Sequence, residues 1–266
     1  MVGFTTREDL VATEYALTIY VNQQELATVV CTPEYIEDLV VGFLASEGII
    51  RSMDQISAMD VKTYRGAVYV KTVSKHNFNQ SFFNKRYIGS CCGKSRQSFY
   101  FYNDAQTANP VIDDVLVTPQ DVLTLMTNLD KEADLFKETG GVHIARLSDV
   151  SGHGISRSDI GRHNALDKLY GYLLRTNLTS AGKVVVFSGR LSSEVLLKVA
   201  KLGVGIVMAK SAPTALALAI ADELNITAIG FVRNDSFNVY THASRLLGAI
   251  DQLKEESNQR ADNYRW

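Results

Sequence analysis

From Tyr15 to Val21 the chain alternates: Tyr15, Leu17, Ile19 and Val21 are apolar, with polar or small residues between them. That period predicts a half-buried strand. Asn22 and Gln23 predict a turn, and Leu26 to Cys31 returns as a second strand. Thr32-Pro33-Glu34 then has the chemistry of a helix start: threonine caps free amides, and proline in first position loses no intrahelical bond. Ile36, Leu39, Val40, Phe43 and Leu44 follow at helical spacing, and Gly48 predicts the stop. Ile56 to Val61 and Ala67 to Val73 predict two more strands, joined at Arg65-Gly66. Residues 1–75 therefore read as a small α+β domain.

Between His76 and Asn103 the pattern weakens into alternating polar and aromatic residues. We read 76–110 as a linker loop between domains. Regularity returns from residue 111. Thr118-Pro119-Gln120-Asp121 repeats the helix-start chemistry ahead of an apolar face of Val122, Leu123, Leu125, Met126 and Leu129, and Gly140-Gly141 ends that stretch. Four apolar runs follow, Val142 to Leu147, Val184 to Phe187, Val204 to Met208 and Ile226 to Val232. Helical stretches lie between them, at Asn164 to Leu174, Ser192 to Leu202 and Pro213 to Leu224. Short apolar strands alternating with helices predict an α/β domain over 111–266, its sheet covered on both faces. The charged tail, Leu253 to Trp266, reads as a fraying helix end.

A chain of 266 residues is long enough to bury a full core without staples. Lys+Arg 27 against Asp+Glu 29 leaves −2, which disfavours a generic nucleic-acid or membrane-surface binder but not a local basic pocket. No apolar run reaches the roughly 18 residues of a membrane span. Met1 to Val11 lacks the apolar stretch of a secretory signal. Three cysteines, two of them adjacent, do not make a disulfide framework, so a reducing cytoplasm is expected.

Ser90-Cys91-Cys92-Gly93-Lys94 is the least ordinary segment. Cys31, in an apolar strand, reads as a small core residue. Cys91 and Cys92 sit in a polar stretch with Lys94 and Arg96 close behind, and nearby cations favour the reactive thiolate. No Cys-x-x-Cys or His-Glu-x-x-His is present, so no zinc is expected. A second chemistry lies at the strand ends. Ser188-Gly189-Arg190 follows one apolar run and opens a helix, Lys210-Ser211 repeats the arrangement, and Phe231 to Ser236 ends a third run. Helix N-termini with a nearby Arg form an anion cradle, and parallel neighbouring strands would set the loops along one edge. Phe231, Val232, Arg233, Asn234, Asp235 and Ser236, with Arg190, Ser211 and His163, are the candidate residues for a phosphate- or carboxylate-bearing ligand. His163 belongs to a bunch, Asp159, Arg162, His163 and Asn164, at a strand-to-helix junction. His143 reads as turn chemistry.

On these residues the chain resembles the formate dehydrogenase accessory sulfurtransferases, the FdhD family. The matching blocks are Thr32-Pro33 through Gly48, the Cys91-Cys92-Gly93-Lys94 loop, Gly161 through Lys168, Ser188-Gly189-Arg190 with Ser193-Glu194, and Phe231-Val232-Arg233. The resemblance implies a sulfur relay. A cysteine desulfurase loads a loop cysteine with persulfide, and the sulfur passes to the bis-molybdopterin guanine dinucleotide molybdenum cofactor (Mo-bis-MGD) destined for formate dehydrogenase. For a guanine nucleotide at the strand ends, Phe231 or Val232 would pack near the base, and Asn234 and Asp235 would bond its edge. The resemblance also implies a homodimer, and a cytidine-deaminase-like three-layer α/β/α domain without the deaminases' zinc motif. Many family members carry Cys-x-x-Cys, whereas this chain has adjacent cysteines. A gapless alignment puts Cys92 at the second position, and a gap puts Cys91 at the first. Cys92, directly before Gly93, is favoured as the carrier, with Cys91 as its partner.

Two other functions fit the residues. A cofactor-binding chaperone of formate dehydrogenase would use the strand-end loops alone and tolerate loss of the thiols. A nucleotide hydrolase of the deaminase-like fold would need a metal or base for which the sequence offers no ligand set.

Overall fold

The computed structural model describes residues 4–6, 8–74, 87–88 and 108–248. Two sheets organise them. The first has the order β3-β4-β1-β2-β5, from β1 (Tyr15–Val21), β2 (Gln24–Cys31), β3 (Ile56–Lys62), β4 (Ala67–Thr72) and β5 (Tyr87–Ile88). The β1–β2 hairpin turns on Asn22 and Gln23, both with positive φ, as a two-residue loop requires. Leu17, Ile19 and Val21 point into the core, as the alternation predicts. β5 runs parallel to β2, Thr28 beside Tyr87 and Val29 beside Ile88.

Helix α1 (Ile36–Ser46) starts later than Thr32-Pro33 implies. Its N-cap is Tyr35, in the left-handed region, with no side-chain cap. Thr32 is drawn instead into a buried polar cluster with the second unit, and that tertiary bonding outcompetes local capping. Gly48, at φ 72°, ends the helix as expected.

The second sheet has the order β11-β10-β9-β8-β6-β7. Its strands are β6 (His143–Asp149), β7 (Gly154–Asp159), β8 (Lys183–Phe187), β9 (Ile206–Ala209), β10 (Thr227–Gly230) and β11 (Asn238–Val239). The helices are α2 (Pro119–Lys131), α3 (Asp134–Thr139), α4 (Arg162–Thr176), α5 (Ser193–Leu202) and α6 (Ala215–Glu223). On one face Val122, Leu125, Met126 and Leu129 of α2 pack on Ile144, Val184, Val186, Ile206 and Met208. On the other, α4, α5 and α6 cover Ala145, Leu147, Val185, Phe187, Val207 and Ala228. These are three layers, α/β/α. β7 lies outside the four apolar runs because its sequence, GISRSD, is mostly polar. Arg157 within it is buried by pairing with Asp38 at 2.8 Å and by lying between the rings of Tyr35 and Tyr172.

The two units meet along α1 and α4. A Cβ at Gly42 would lie 1.7 Å from the Asp167 carbonyl oxygen, and one at Gly171 would lie 1.8 Å from that of Asp38. The helix backbones touch there, and only glycine allows it. Polar bonds close the seam: Ser46 Oγ donates to Asp167 Oδ1 at 2.6 Å, Lys198 pairs with Asp167, and Lys201 Nζ donates to Ser46 O at 2.6 Å.

Candidate functional site

Strands β8, β9 and β10 are parallel neighbours, so their C-terminal loops fall along one edge. The loops also bond to one another. Lys210 N donates to Phe187 O at 3.1 Å, Leu191 N to Ala212 O at 3.2 Å, Phe231 N to Ser211 O at 3.3 Å and Val232 N to Ala209 O at 3.1 Å. Ser211 Oγ reaches Ser188 O at 3.5 Å, and Arg233 donates to Lys210 O. The three segments singled out from the sequence thus form one continuous floor.

The antiparallel neighbours bring further residues to the same edge. β6 starts there with His143, which sits opposite Asp159 at the end of β7, and α4 starts there after Gly161. Two helix N-termini, those of α4 and α5, converge, and neither is capped by a side chain. In contrast, α2 has a Thr118–Asp121 capping box and α6 a Thr214 cap. Ser192, expected to cap α5, is its N-cap by position, but its Oγ is buried without a hydrogen-bond partner. The first turns of α4 and α5 are linked, His163 Nε2 lying 3.0 Å from Glu194 Oε2. The positive ends of the two helix dipoles make such a place hospitable to an anion.

The surroundings of His143 disfavour its charged form. Burial lowers its pKa from the ordinary 6.5, Arg162 and His163 push the same way, and Asp159 pulls back only in part. Gly189 leaves the imidazole uncovered: a Cβ there would lie 2.9 Å from the Phe187 ring and 3.3 Å from His143 Nδ1.

The nominated residues are not equivalent. Arg190 is exposed at the mouth of the floor. Lys210 pairs with Asp130 of α2, so its charge is already spent within the protein. Arg233 turns toward the backbone of its own edge, bonding Lys210 O and Val232 O. Val232 is 1% exposed and packs in the α2 core, which removes it as a contact for a base. Phe231 is 41% exposed and holds a positive φ of 53°, unusual for an aromatic residue. Asn234, Asp235 and Ser236 are exposed, in a turn closed by Arg233 N donating to Ser236 O at 2.8 Å.

Beneath the floor lies a cluster that the sequence does not announce. Lys168 and Asp159, both fully buried, pair at 2.7 Å. Lys168 Nζ also donates to Thr32 Oγ1 at 2.7 Å and Ser158 O at 3.1 Å. Asp159 Oδ2 accepts from Thr32 N at 3.1 Å, and its Oδ1 from Gly161 N and Asn164 Nδ2, each at 2.8 Å. The only local signal was the bunching of polar residues around His163, because the partner Thr32 is 127 residues from Asp159.

Cys91 and Cys92 lie outside the described residues. Cys31 is buried, and its thiol is pushed from 9.0 up to about 12 by burial first and by Asp159 second. It is a core residue, as the sequence implies, and not a nucleophile. Among the described residues no group of three or more His, Cys, Asp or Glu is arranged to hold a metal ion.

Comparison with known proteins agrees across the chain. The profile of the FdhD/NarQ family matches residues 12–247. The chain is 52% identical over 244 residues to the sulfur carrier protein FdhD of Geobacillus kaustophilus, covering 92% of each. It is 53% identical over 242 residues to that of Halalkalibacterium halodurans, covering 91% of this chain and 90% of the relative. Among solved structures it is similar to a proposed formate dehydrogenase accessory protein from Desulfotalea psychrophila, with TM-score 0.73, 25% identity, and 90% and 92% of the two chains covered.

Proposed function

The chain belongs to the FdhD/NarQ family of sulfur carriers, and on that premise we propose that it moves persulfide sulfur from a cysteine desulfurase to the Mo-bis-MGD cofactor of formate dehydrogenase. The observation that carries the cofactor half is the continuous floor of three strand-end loops beside two uncapped helix N-termini. A guanine dinucleotide presents a pyrophosphate and a base. Arg190, exposed at the mouth, offers the pyrophosphate a planar fork that lysine lacks. Phe231 offers a ring face to the base. Asp235, with Asn234 beside it, offers an acceptor to the N–H groups on the guanine edge. Ser211 and Ser236 add hydroxyls, and His163 sits in the first turn of α4.

The sulfur half falls to Cys91 or Cys92. In loading, the loop thiolate attacks the outer sulfur of the desulfurase persulfide. One S–S bond forms as another breaks, the electron pair leaves with the desulfurase thiolate, and no external oxidant is required. Cys92 is the favoured carrier. In this reading the protein is a homodimeric, cytoplasmic sulfurtransferase. We divide it into an N-terminal α+β domain (1–75), a thiol-bearing linker (76–110) and a cytidine-deaminase-like domain (111–266) that holds no zinc. No helix among the described residues is long and apolar enough to cross a membrane.

Intact-mass analysis after incubation with a cysteine desulfurase and cysteine tests the reading. The expected result is a reductant-labile gain of one or more sulfur atoms that disappears in the Cys91→Ala, Cys92→Ala double variant, with Cys92→Ala alone losing more than Cys91→Ala. Equal labelling of the double variant would overturn the assignment of the carrier to Cys91 and Cys92, and a wild type that gains no sulfur would leave the same floor to a cofactor-binding chaperone.

A further inference from the structure

Asn164 is 6% exposed and stands in the first turn of α4. Its Nδ2 donates twice, to Val30 O on β2 at 2.9 Å and to Asp159 Oδ1 at 2.8 Å. These two acceptors belong to different functional halves. Val30 follows directly on Thr28 and Val29, the two residues that pair with β5, so Asn164 takes up β2 one residue past the end of that pairing. β5 ends at Ile88, three residues before Cys91 in the sequence. Asp159 Oδ1 also accepts from Gly161 N, and so orients the turn that carries Arg162 and His163. Gly161 is glycine because a Cβ there would lie 2.6 Å from Asn164 Nδ2.

We propose that Asn164 is a positioning residue for sulfur delivery: it locks the β2 edge, on which β5 is paired three residues before Cys91, to the turn at the start of α4, beside the floor of the cofactor site. The proposal rests on the function proposed above. Only a side-chain amide suits the position. It places two N–H donors on one nitrogen, whereas aspartate would set a second carboxylate against Asp159 and leucine would leave two buried acceptors short. Asn164 would act through β2 and Asp159, and so is a positioning rather than a catalytic residue. The α1–α4 crossing holds the two units together independently, so losing Asn164 loosens one seam without parting them.

The test is energy transfer between mant-GDP in the cradle and a maleimide dye on the Cys91/Cys92 pair. The buried Cys31 is excluded from labelling under native conditions. In Asn164→Ala, transfer is read at saturating mant-GDP, because the α4 turn that carries His163 borders the cradle. Desulfurase-dependent persulfide loading is expected to be unchanged. Transfer efficiency is expected to shift, and its lifetime distribution to broaden. Thr32→Val, which removes a neighbouring hydroxyl from the same cluster but keeps both Asn164 bonds, is expected to retain the wild-type signal. Wild-type efficiency and lifetimes in folded Asn164→Ala would overturn the proposal while leaving the function standing. Failure of wild type to bind mant-GDP would overturn the cradle itself, and this proposal with it. If Asn164→Ala does not fold, Asn164→Ser carries the same measurement with the same two outcomes.

Discussion

Replacing Gly42 by alanine tests the α1–α4 crossing directly. The new methyl would sit 1.7 Å from Asp167 O, 2.6 Å from Asp167 C and 2.8 Å from Gly171 N, all backbone atoms. Ordinary contact needs about 3.5 Å, so the helices must separate by roughly 1–2 Å. Overpacking where side chains can yield costs about 1–3 kcal/mol. Here neither side can yield by a rotamer change, and separation also thins the contacts of Leu39, Val40 and Phe43, which are almost completely buried. The intrinsic preference of a helix interior for alanine over glycine returns about 1 kcal/mol. A net loss of about 2–4 kcal/mol follows, which for a chain of this size lowers Tm by about 5–15 °C. Gly171→Ala should cost a similar amount. The double variant should cost less than the two together, because the first methyl already opens the gap. Urea and thermal unfolding monitored by circular dichroism measure all three. A Gly42→Ala protein that melts at or above the wild-type temperature would refute backbone contact between the helices.

Four further outcomes are expected. Arg190→Ala should weaken GDP binding about tenfold or more by calorimetry, a charge-assisted phosphate contact being worth about 1.5–3 kcal/mol. Lys210→Ala, whose cation already pairs with Asp130, should lose far less, and equal losses would contradict the assignment. Cys31 should resist iodoacetamide in native protein at about pH 8 and react after unfolding. Because its thiol is raised from 9.0 to about 12, its stabilising contribution is present below pH 9.0 and lost as pH climbs toward 12, a loss that Cys31→Ala should abolish. His143 has the opposite sign: its pKa is lowered from 6.5, so its contribution is present above 6.5 and lost as pH falls through the folded value. Urea titrations in mildly acidic buffer should show a shallower loss for His143→Gln, and an unchanged slope counts against burial of the neutral ring. Elemental analysis after a chelator wash should find no stoichiometric zinc, and retained zinc would mean that a ligand set has been overlooked.

Local features were legible in the sequence, and long-range ones were not. The strand-end loops could be read because an apolar run followed by Ser-Gly-Arg or Lys-Ser and then a helix is a pattern of a few residues. Their alignment needed only that the strands be parallel neighbours, which β8, β9 and β10 are. Thr32 misled because a Thr-Pro pair has the same local chemistry whether it caps a helix or not. Its use is decided by Asp159 and Lys168, more than 120 residues away. Lys168 itself looks like a solvated helix residue, yet it is fully buried. Arg157 likewise looks like a reason not to expect a strand, until Asp38 and the two tyrosine rings enclose it. The pairing of Lys210 with Asp130 spans two layers and carries no sequence signature.

The α1–α4 crossing also imposes an order in time. During synthesis α1 leaves the ribosome long before α4 exists, since more than a hundred residues separate Ser46 from Arg162. At about 5–20 residues per second that interval is on the order of ten seconds. Throughout it the N-terminal sheet can cover one side of α1, but the side that receives α4 stays bare, including the backbone patch at Gly42 and the carboxylate of Asp38, whose two arginine partners lie on β7 and α4. The nascent N-terminal unit is thus an unfinished object with a sticky flank, and a folding helper or slow early translation would matter most before Thr176 emerges.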